Sequence, residues 1–135
     1  AAPKRPLSSS LEDYLEAIYW LSQPHGVARG GQIAEQLNVS KPSVTAALKA
    51  LAEKGYINYD PYQFISLTRS GKALARDIVW RHDVLKRFFT ELLGVDETRA
   101  EETACRVEHL MDHDIMDRLR RLVESRAPEP RTTTR

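Results

Sequence analysis

The stretch from Ile33 to Ile57, IAEQLNVSKPSVTAALKALAEKGYI, constrains the fold of this 135-residue chain more than any other segment. Two segments with helical spacing are joined by LNVSK, and the second opens with small, polar and basic residues. Ser40 can cap the second helix, Pro42 suits its first turn and Gly55 suits its C-terminal end. A short helix, a turn and such a second helix are the arrangement that docks into a DNA major groove. The sequence therefore predicts a helix-turn-helix.

The first turns of this second helix carry the candidate DNA contacts. Small side chains there allow a close approach to base edges, hydroxyl groups can bond base or phosphate oxygens, and lysines can neutralise phosphates. The alternative is an ordinary helical hairpin whose hydroxyl residues serve only as caps. The candidate DNA-binding residues are Ser40, Lys41, Pro42, Ser43, Thr45 and Lys49.

Two apolar and aromatic runs follow, at residues 56–59 and 64–67, on either side of the turn sequence DPYQ. They predict a two-stranded hairpin, which would form the wing of a winged helix-turn-helix. Because DPYQ carries neither lysine nor arginine, we expect at most modest contacts from the wing to the DNA backbone. Upstream, SSSLEDYLEAIYWL predicts a first helix with Ser10 as its N-cap.

Two long helical segments fill the second half of the chain. The first runs from Ser70 or Gly71 to Gly94, and the second covers DETRAEETACRVEHL and DIMDRLRRLVE, with a break near residues 112–114 as one alternative. At helical spacing, the second segment predicts one apolar stripe for burial. That stripe consists of Val107, Met111, Ile115 and Leu122.

Charge and cysteine content limit the kinds of partner and compartment. The net charge of +1 means that DNA contacts must come from local placement of basic residues, and weak basicity favours two modules on one operator, hence a homodimer. A single cysteine excludes an internal disulfide, and no apolar run predicts a membrane span or a signal peptide. We expect a cytoplasmic protein without membrane contact.

The sequence ACRVEHLMDHD, residues 104–114, raises the question of a metal site. Cys105, Glu108 and His109 fall within an arc of roughly 100° on one helix, which can direct three donors at one ion. Taken alone the signal is weak, because a lone cysteine more often packs as a small apolar residue and Glu–His pairs often lie in solvent.

Two other predicted helices offer donors of complementary chemistry. Asp13 and Glu16 lie on one face of the first helix, and His82 lies on the long helix. The two carboxylates could instead only favour the helix N-terminus, and His82 could be an interior or surface histidine. Carboxylate, imidazole and thiolate donors together suit a first-row divalent metal better than Ca²⁺ or Mg²⁺.

Five motifs, in their order and spacing, resemble one known family. They are LEDYLEAIYWL, IAEQLNVSKPSVTAALKALAEKGYI, LTRSGKALA, RHDVLKRFFTELLGVD and ACRVEHLM. They look like the diphtheria toxin repressor family of metal-activated repressors, which includes iron regulators and manganese transport regulators. The resemblance covers the chain from about Leu11 to Leu122.

This resemblance implies a mostly α fold with a small β-hairpin wing, in which a winged helix-turn-helix domain is followed by a helical dimerisation domain. We place a flexible arm at residues 1–10, the DNA-binding domain at 11–71, the dimerisation and metal-binding domain at 72–125 and a flexible tail at 126–135. We expect the two-domain layout of the manganese regulators, without the third, SH3-like domain of many iron regulators.

The resemblance also implies the metal ligands Asp13, Glu16, His82, Cys105, Glu108 and His109. It makes the site a hybrid, since Asp13 stands at an acidic position of the manganese regulators and Cys105 at a cysteine position of the iron regulators. Lys86 and Glu101 replace a glutamate and a histidine of the iron-type ancillary site, which puts that second site in doubt.

We therefore expect a transcriptional repressor and not an enzyme. One or two ions per subunit, with Fe²⁺ narrowly preferred over Mn²⁺, would link the first helix to the dimerisation domain. The bound ion would orient a homodimer on a palindromic double-stranded DNA operator. The resemblance implies that the regulated genes serve metal uptake. One alternative is a metal-independent winged-helix regulator that responds to a small molecule. Another is a metalloenzyme, against which the chain shows no convincing general base outside the ligand set.

Overall fold

The computed structural model describes residues 6–60 and 64–126, and over this part of the chain it is helical with one small sheet. A first compact unit extends to Val79 and a second begins at Trp80. The division therefore falls inside a helix, whereas the sequence placed it at that helix's first turn. The elements are α1 (Ser9–Leu21), α2 (Gly30–Leu37), α3 (Lys41–Glu53), β1 (Ile57–Tyr59), β2 (Ile65–Leu67), α4 (Arg69–Arg87), α5 (Glu97–Val107) and α6 (His113–Arg126).

Helix α1 begins earlier than predicted. Its N-cap is Ser8, whose hydroxyl accepts a hydrogen bond from the backbone N–H of Leu11 at 3.2 Å, so the prediction of Ser10 as the cap was wrong. Ser8, Ser9 and Ser10 offer equivalent capping groups. Leu7 is buried in the first-unit core, and Ser8, the next residue, is the one that caps the helix. Residues 1–5 of the predicted arm lie outside the described part.

Helices α2 and α3 form the predicted helix-turn-helix. Asn38 ends α2 in the left-handed conformation, with φ at 54°, and the Ser40 hydroxyl then caps α3 by accepting from the N–H of Ser43. After α3, Gly55 also has a positive φ, at 82°, as a residue just past a helix end requires. The inward faces of both helices pack against α1 in a core that includes Leu15, Ile18, Ile33, Val44, Leu48 and Leu51.

The predicted wing is present as an antiparallel pair of short strands. Ile57 of β1 pairs with Leu67 of β2, and Tyr59 pairs with Ile65. Of the predicted turn DPYQ, residues 61–63 lie outside the described residues. Ala28, in the connection between α1 and α2, forms an additional backbone bridge to Ile65, with both hydrogen bonds at 2.8 Å. This bridge ties the base of the wing to the helices of the first unit.

The start of α4 packs closely against the residues that join α3 to β1. The Thr68 hydroxyl accepts from the N–H of Gly71 and donates to the carbonyl oxygen of Gly55 at 2.7 Å. A Cβ atom added at Gly71 would overlap the carbonyl group of Tyr56. Only glycine fits at position 71, where α4 passes the Tyr56 backbone. Ala75 and Ile78, further along α4, complete the first-unit core.

The second unit is built from the end of α4, α5 and α6. A π-helical turn at Phe88–Leu92 follows α4, Asp96 caps α5, and a 3₁₀ turn at Glu108–Leu110 separates α5 from α6. Its core centres on Val84, Leu85, Ala104 and Met116. Among the described residues, no helix combines the length and the apolar character needed to cross a membrane.

The predicted apolar stripe is only partly correct. Val107 and Met111 pack on the second-unit core, but Ile115 is 48% exposed and Leu122 is 39% exposed. Met116 and Val123 are buried in their place. The 3₁₀ turn and the extended conformation of Met111 reset the helical phase, so the stripe of α5 does not continue into α6 at the same spacing. The break thus lies a few residues before the position predicted.

Candidate metal centre

The second unit brings His82, Cys105 and Glu108 together. His82 lies on α4 with a buried ring, whose Nδ1 atom is 3.0 Å from Glu108 Oε2 and 3.7 Å from Cys105 Sγ. Cys105 lies on α5 and Glu108 follows at its C-terminal end. Three of the six predicted ligands are therefore neighbours, and they come from two elements packed against each other.

Glu108 is the most deeply placed of these groups. It is 1% exposed, and its second carboxylate oxygen, Oε1, lies 3.5 Å from His109 Nε2. A buried carboxylate costs several kcal/mol in lost hydration unless cationic or hydrogen-bonding partners offset that cost. Two imidazoles and the neighbouring Arg81, whose guanidinium donates to the Glu108 backbone oxygen at 3.5 Å, surround this one. Glu108 is therefore a buried carboxylate donor that already lies beside two imidazoles.

The local backbone explains why these donors differ in environment. The sequence placed Cys105, Glu108 and His109 on one continuous helix, but α5 ends at Val107 and the last two residues belong to the 3₁₀ turn. The tighter turn directs Glu108 inward, while Cys105 stays exposed on α5. The exposed thiol is thus accessible from solvent, and the carboxylate is not.

A further pair of residues reaches the opposite side of the His82 ring. Glu101 Oε1 lies 2.9 Å from His82 Nε2, and its other oxygen lies 3.3 Å from Lys86 Nζ. The sequence marked both residues only as departures from the iron-type ancillary site. The available signal was position: Glu101 is one helical turn before Cys105, on the same face of α5.

The surroundings of His82 strongly favour its protonated form in the absence of metal. The Cys105 sulfur, Glu108 and Glu101 raise the pKa of His82 to about 11, although its burial acts in the opposite direction. At neutral pH the ring is therefore an imidazolium that neutralises part of the acidic cluster. A metal ion that binds to either ring nitrogen of His82 therefore displaces a proton.

The donor set fits a divalent transition metal. It combines a thiol that binds metals as the thiolate, a buried carboxylate and two imidazoles, and such mixed S, O and N donors are typical of first-row metal sites. His82, Glu101 and Cys105 each present one donor atom, all within 4.8 Å of one another. The predicted ligands of the second unit that would hold the ion are His82, Cys105, Glu108 and His109, and Glu101 lies beside His82.

Asp13 and Glu16 belong to the first unit. They lie three residues apart on α1, Asp13 exposed and Glu16 partly buried, so they share a helix face as predicted. Their assignment as metal ligands stays a prediction.

The predicted DNA-contacting residues lie on the outer face of α3 or at its cap. The side chains of α3 that face the core are Val44, Ala47, Leu48 and Leu51. The Thr45 hydroxyl donates to the Lys41 backbone oxygen at 3.1 Å, and Ser40 and Ser43 share a hydrogen bond of 2.9 Å. All the candidates, Ser40, Lys41, Pro42, Ser43, Thr45 and Lys49, are exposed. Their contact with DNA stays a prediction.

Two family models together match almost the whole chain. Residues 6–65 match the iron dependent repressor N-terminal DNA-binding domain, and residues 68–134 match the iron dependent repressor metal binding and dimerisation domain. The chain belongs to the iron-dependent repressor family. The resemblance to the metal-activated diphtheria toxin repressor group and the predicted fold class are confirmed.

Relatives of this iron-dependent repressor family member include two curated regulators. An uncharacterised HTH-type transcriptional regulator of Methanocaldococcus jannaschii is 39% identical over 119 residues, which cover 87% of this chain and 95% of the relative. The HTH-type transcriptional regulator MntR of Shouchella clausii is 37% identical over 115 residues, which cover 85% of this chain and 80% of the relative.

Solved structures of the same family have the same fold. A manganese-dependent transcriptional repressor in complex with manganese has a TM-score of 0.78 at 25% identity, covering 84% of this chain and 52% of that one. The IdeR protein of T. acidophilum has a TM-score of 0.73 at 27% identity, covering 93% of this chain and 58% of that one. The chain thus spans little more than half of these two proteins.

Membership of this family establishes the general function. The chain is a metal-dependent transcriptional repressor with a DNA-binding domain and a metal-binding, dimerisation domain, which agrees with the predicted DNA and homodimer partners. The matches give no support to the alternative of a metal-independent regulator. They support a divalent metal without deciding between Fe²⁺ and Mn²⁺.

Proposed function

We propose that a divalent transition-metal ion, bound by His82, Cys105, Glu108 and His109, is the corepressor of this protein. The observation that supports the proposal most strongly is the buried Glu108 carboxylate, with an imidazole near each of its oxygens and a thiol beside one of the imidazoles. When bound, the ion supplies positive charge to this acidic cluster and free energy that favours the operator-binding state.

The protein's own groups determine what the ion encounters. Without metal, the His82 imidazolium offsets part of the negative charge of Glu108 and Glu101. Cys105 and His82 must both give up protons to become ligands. The metal affinity therefore includes the free-energy cost of removing these protons and of separating His82 from its acidic partners.

We propose Fe²⁺ over Mn²⁺ as the physiological metal, by a narrow margin. The thiolate of Cys105 is a softer donor than a carboxylate and binds Fe²⁺ more strongly than Mn²⁺. The carboxylates and imidazoles also suit Mn²⁺, and one of the similar solved structures is a manganese-dependent transcriptional repressor in complex with manganese. The expectation of one or two ions per subunit, with Asp13 and Glu16 as further ligands, stays part of the proposal.

Cys105→Glu is expected to shift the metal preference toward Mn²⁺. The change replaces the soft donor by a hard one, so we expect the ratio of Fe²⁺ to Mn²⁺ affinity to fall by about tenfold, or about 1.4 kcal/mol. Anaerobic competition against a fluorescent chelator measures both affinities. Glu102→Gln, an exposed charge change on the same helix, serves as the control. An unchanged ratio in Cys105→Glu would remove the basis for the Fe²⁺ preference.

For the DNA side, we propose that a homodimer places one α3 helix in each half of a palindromic operator. The exposed small and basic residues at the start of α3 support this, because the N-terminal residues of a recognition helix contact the base edges. We further propose that the regulated genes serve metal uptake, that the protein is cytoplasmic and that it has no catalytic activity. Metal-dependent turnover of a test ester or phosphate, lost in Glu108→Ala, would contradict the last point.

Lys41→Ala is expected to weaken binding to operator and to random DNA by a similar factor. Lys41 would contact a phosphate, so its loss means that one counterion fewer is released per protomer. The slope of log affinity against log salt concentration should therefore become shallower by about 0.9 per protomer. Fluorescence anisotropy at several salt concentrations gives the slope. Lys54→Ala, at the other end of α3, is the matched control. Equal slopes in Lys41→Ala and the wild type would exclude this contact.

A further inference from the structure

Both nitrogens of the His82 ring have acidic neighbours in the second unit. Glu108 and Cys105 lie on the Nδ1 side, at 3.0 and 3.7 Å, and Glu101 lies on the Nε2 side at 2.9 Å. An imidazole in a mononuclear site gives one nitrogen to a metal and donates the N–H of the other to a neighbouring acceptor. The two sides of the ring therefore serve different purposes.

The distribution of donors decides which side takes the metal. Nδ1 has both a thiol and a buried carboxylate within reach, and the carboxylate extends to His109 through its other oxygen. Nε2 faces a partly exposed carboxylate that is already bonded to a lysine. An ion on the Nδ1 side gains more ligands from the described residues of this unit.

We propose that Glu101 is a positioning residue that accepts the Nε2–H of His82 while Nδ1 binds the metal, and that Lys86 holds Glu101 in that role. This inference rests on the proposed function. A carboxylate on the outer N–H fixes the tautomer and the orientation of the ring and increases its basicity as a ligand.

Lys86 explains why Glu101 stays outside the ligand set. Its ammonium group lies 3.3 Å from Glu101 Oε2 and 3.5 Å from Glu97 Oε1. A charged ammonium cannot ligate a metal, and it repels a second cation placed beside Glu101. One oxygen of Glu101 is thereby held by Lys86 and the other is left for His82.

Anaerobic Co²⁺ binding separates this role from direct ligation, because the visible spectrum of Co²⁺ reports its ligands and a sulfur-to-cobalt band reports Cys105. We expect Glu101→Ala to weaken Co²⁺ binding by roughly 10- to 100-fold, with the spectrum of the saturated protein unchanged. Glu101→Gln keeps an oxygen acceptor for Nε2–H and is expected to lose less than about tenfold. Lys86→Gln should show a smaller loss than Glu101→Ala, with the same spectrum.

The control is Glu97→Gln, which removes the other partner of Lys86 at a side chain that is 83% exposed, and it should bind Co²⁺ as the wild type does. Circular dichroism of each metal-free variant checks that it is folded. A changed Co²⁺ spectrum in saturated Glu101→Ala would make Glu101 a direct ligand and overturn the inference. Wild-type affinity in Glu101→Ala would overturn it as well.

Failure of the proposed metal centre itself has a different signature. A wild-type protein that binds no Co²⁺, or binds it without a sulfur-to-cobalt band, would overturn the proposed ligand set and with it the role of Glu101. A normal wild-type band together with an unaffected Glu101→Ala variant overturns only the positioning role.

Discussion

Glu108→Gln is expected to abolish metal-dependent operator binding. The amide has nearly the shape of the carboxylate but no charge, so the ion loses its buried anionic ligand. Substituting a residue that only hydrogen-bonds to a metal ligand lowers metal affinity by roughly 10- to 100-fold, and we expect a larger loss here because Glu108 is itself a proposed ligand. Chelator competition measures the affinity, and a gel shift at a fixed metal concentration measures operator binding.

Glu102→Gln is the matched control for this substitution, because it removes one negative charge from an exposed position of α5. It should retain metal binding and the gel shift. Thermal unfolding of the metal-free Glu108→Gln protein shows whether the fold survives. Wild-type metal affinity and a wild-type, metal-dependent gel shift in a folded Glu108→Gln protein would contradict the proposed centre.

Gly71→Ala is expected to be the most damaging small substitution in the first unit. Its new Cβ would overlap the carbonyl group of Tyr56, which is backbone and cannot rotate away. The Tyr56 peptide is also fixed by its neighbours, since its N–H donates to Leu51 and its oxygen accepts from Thr68, each at 3.0 Å. We expect a loss of about 1–3 kcal/mol or more in the free energy of unfolding.

Gly31→Ala provides the comparison within the same unit. Gly31 lies in α2 with no atom within 4 Å of an added Cβ, so alanine there should be neutral or stabilise the helix by about 0.5–1 kcal/mol. Thermal unfolding of both variants tests the pair, with a shift of roughly 4–8 °C expected per kcal/mol for a unit of this size. If the two variants melt together, the close contact at Gly71 does not exist in solution.

The helix-turn-helix was predictable because short-range signals define it. Ser40, Pro42 and Gly55 act within one turn of their own positions, and each has the role predicted for it around α3. The bridge from Ala28 to Ile65 was not predictable in this way, because it joins residues far apart in the chain and depends on the tertiary packing of the first unit.

The second half of the chain was harder to predict for a related reason. A helical pattern extrapolates only while the helix continues, and the 3₁₀ turn at Glu108 changes the phase. Ile115 and Leu122 were therefore placed in the core although they are exposed. Their exposure leaves apolar side chains on the surface of α6.

The sequence predicted candidate donors but not how they are arranged. Helical spacing singled out Cys105 and Glu108, residue chemistry on the long helix added His82, and the structure places His82 beside both. Helical spacing alone gave no means to distinguish an inward carboxylate from an exposed thiol. Glu101 was overlooked as a partner of His82, because that contact connects two helices whose packing the sequence does not reveal.

The most direct test of metal-dependent repression is operator binding with and without a chelator. A duplex selected from a random pool in the presence of metal serves as the operator, and a gel shift follows binding by the full chain. We predict that EDTA abolishes the shift and that Fe²⁺, added anaerobically, and Mn²⁺ each restore it, Fe²⁺ at the lower free concentration. Operator affinity that is unchanged by EDTA would contradict the account.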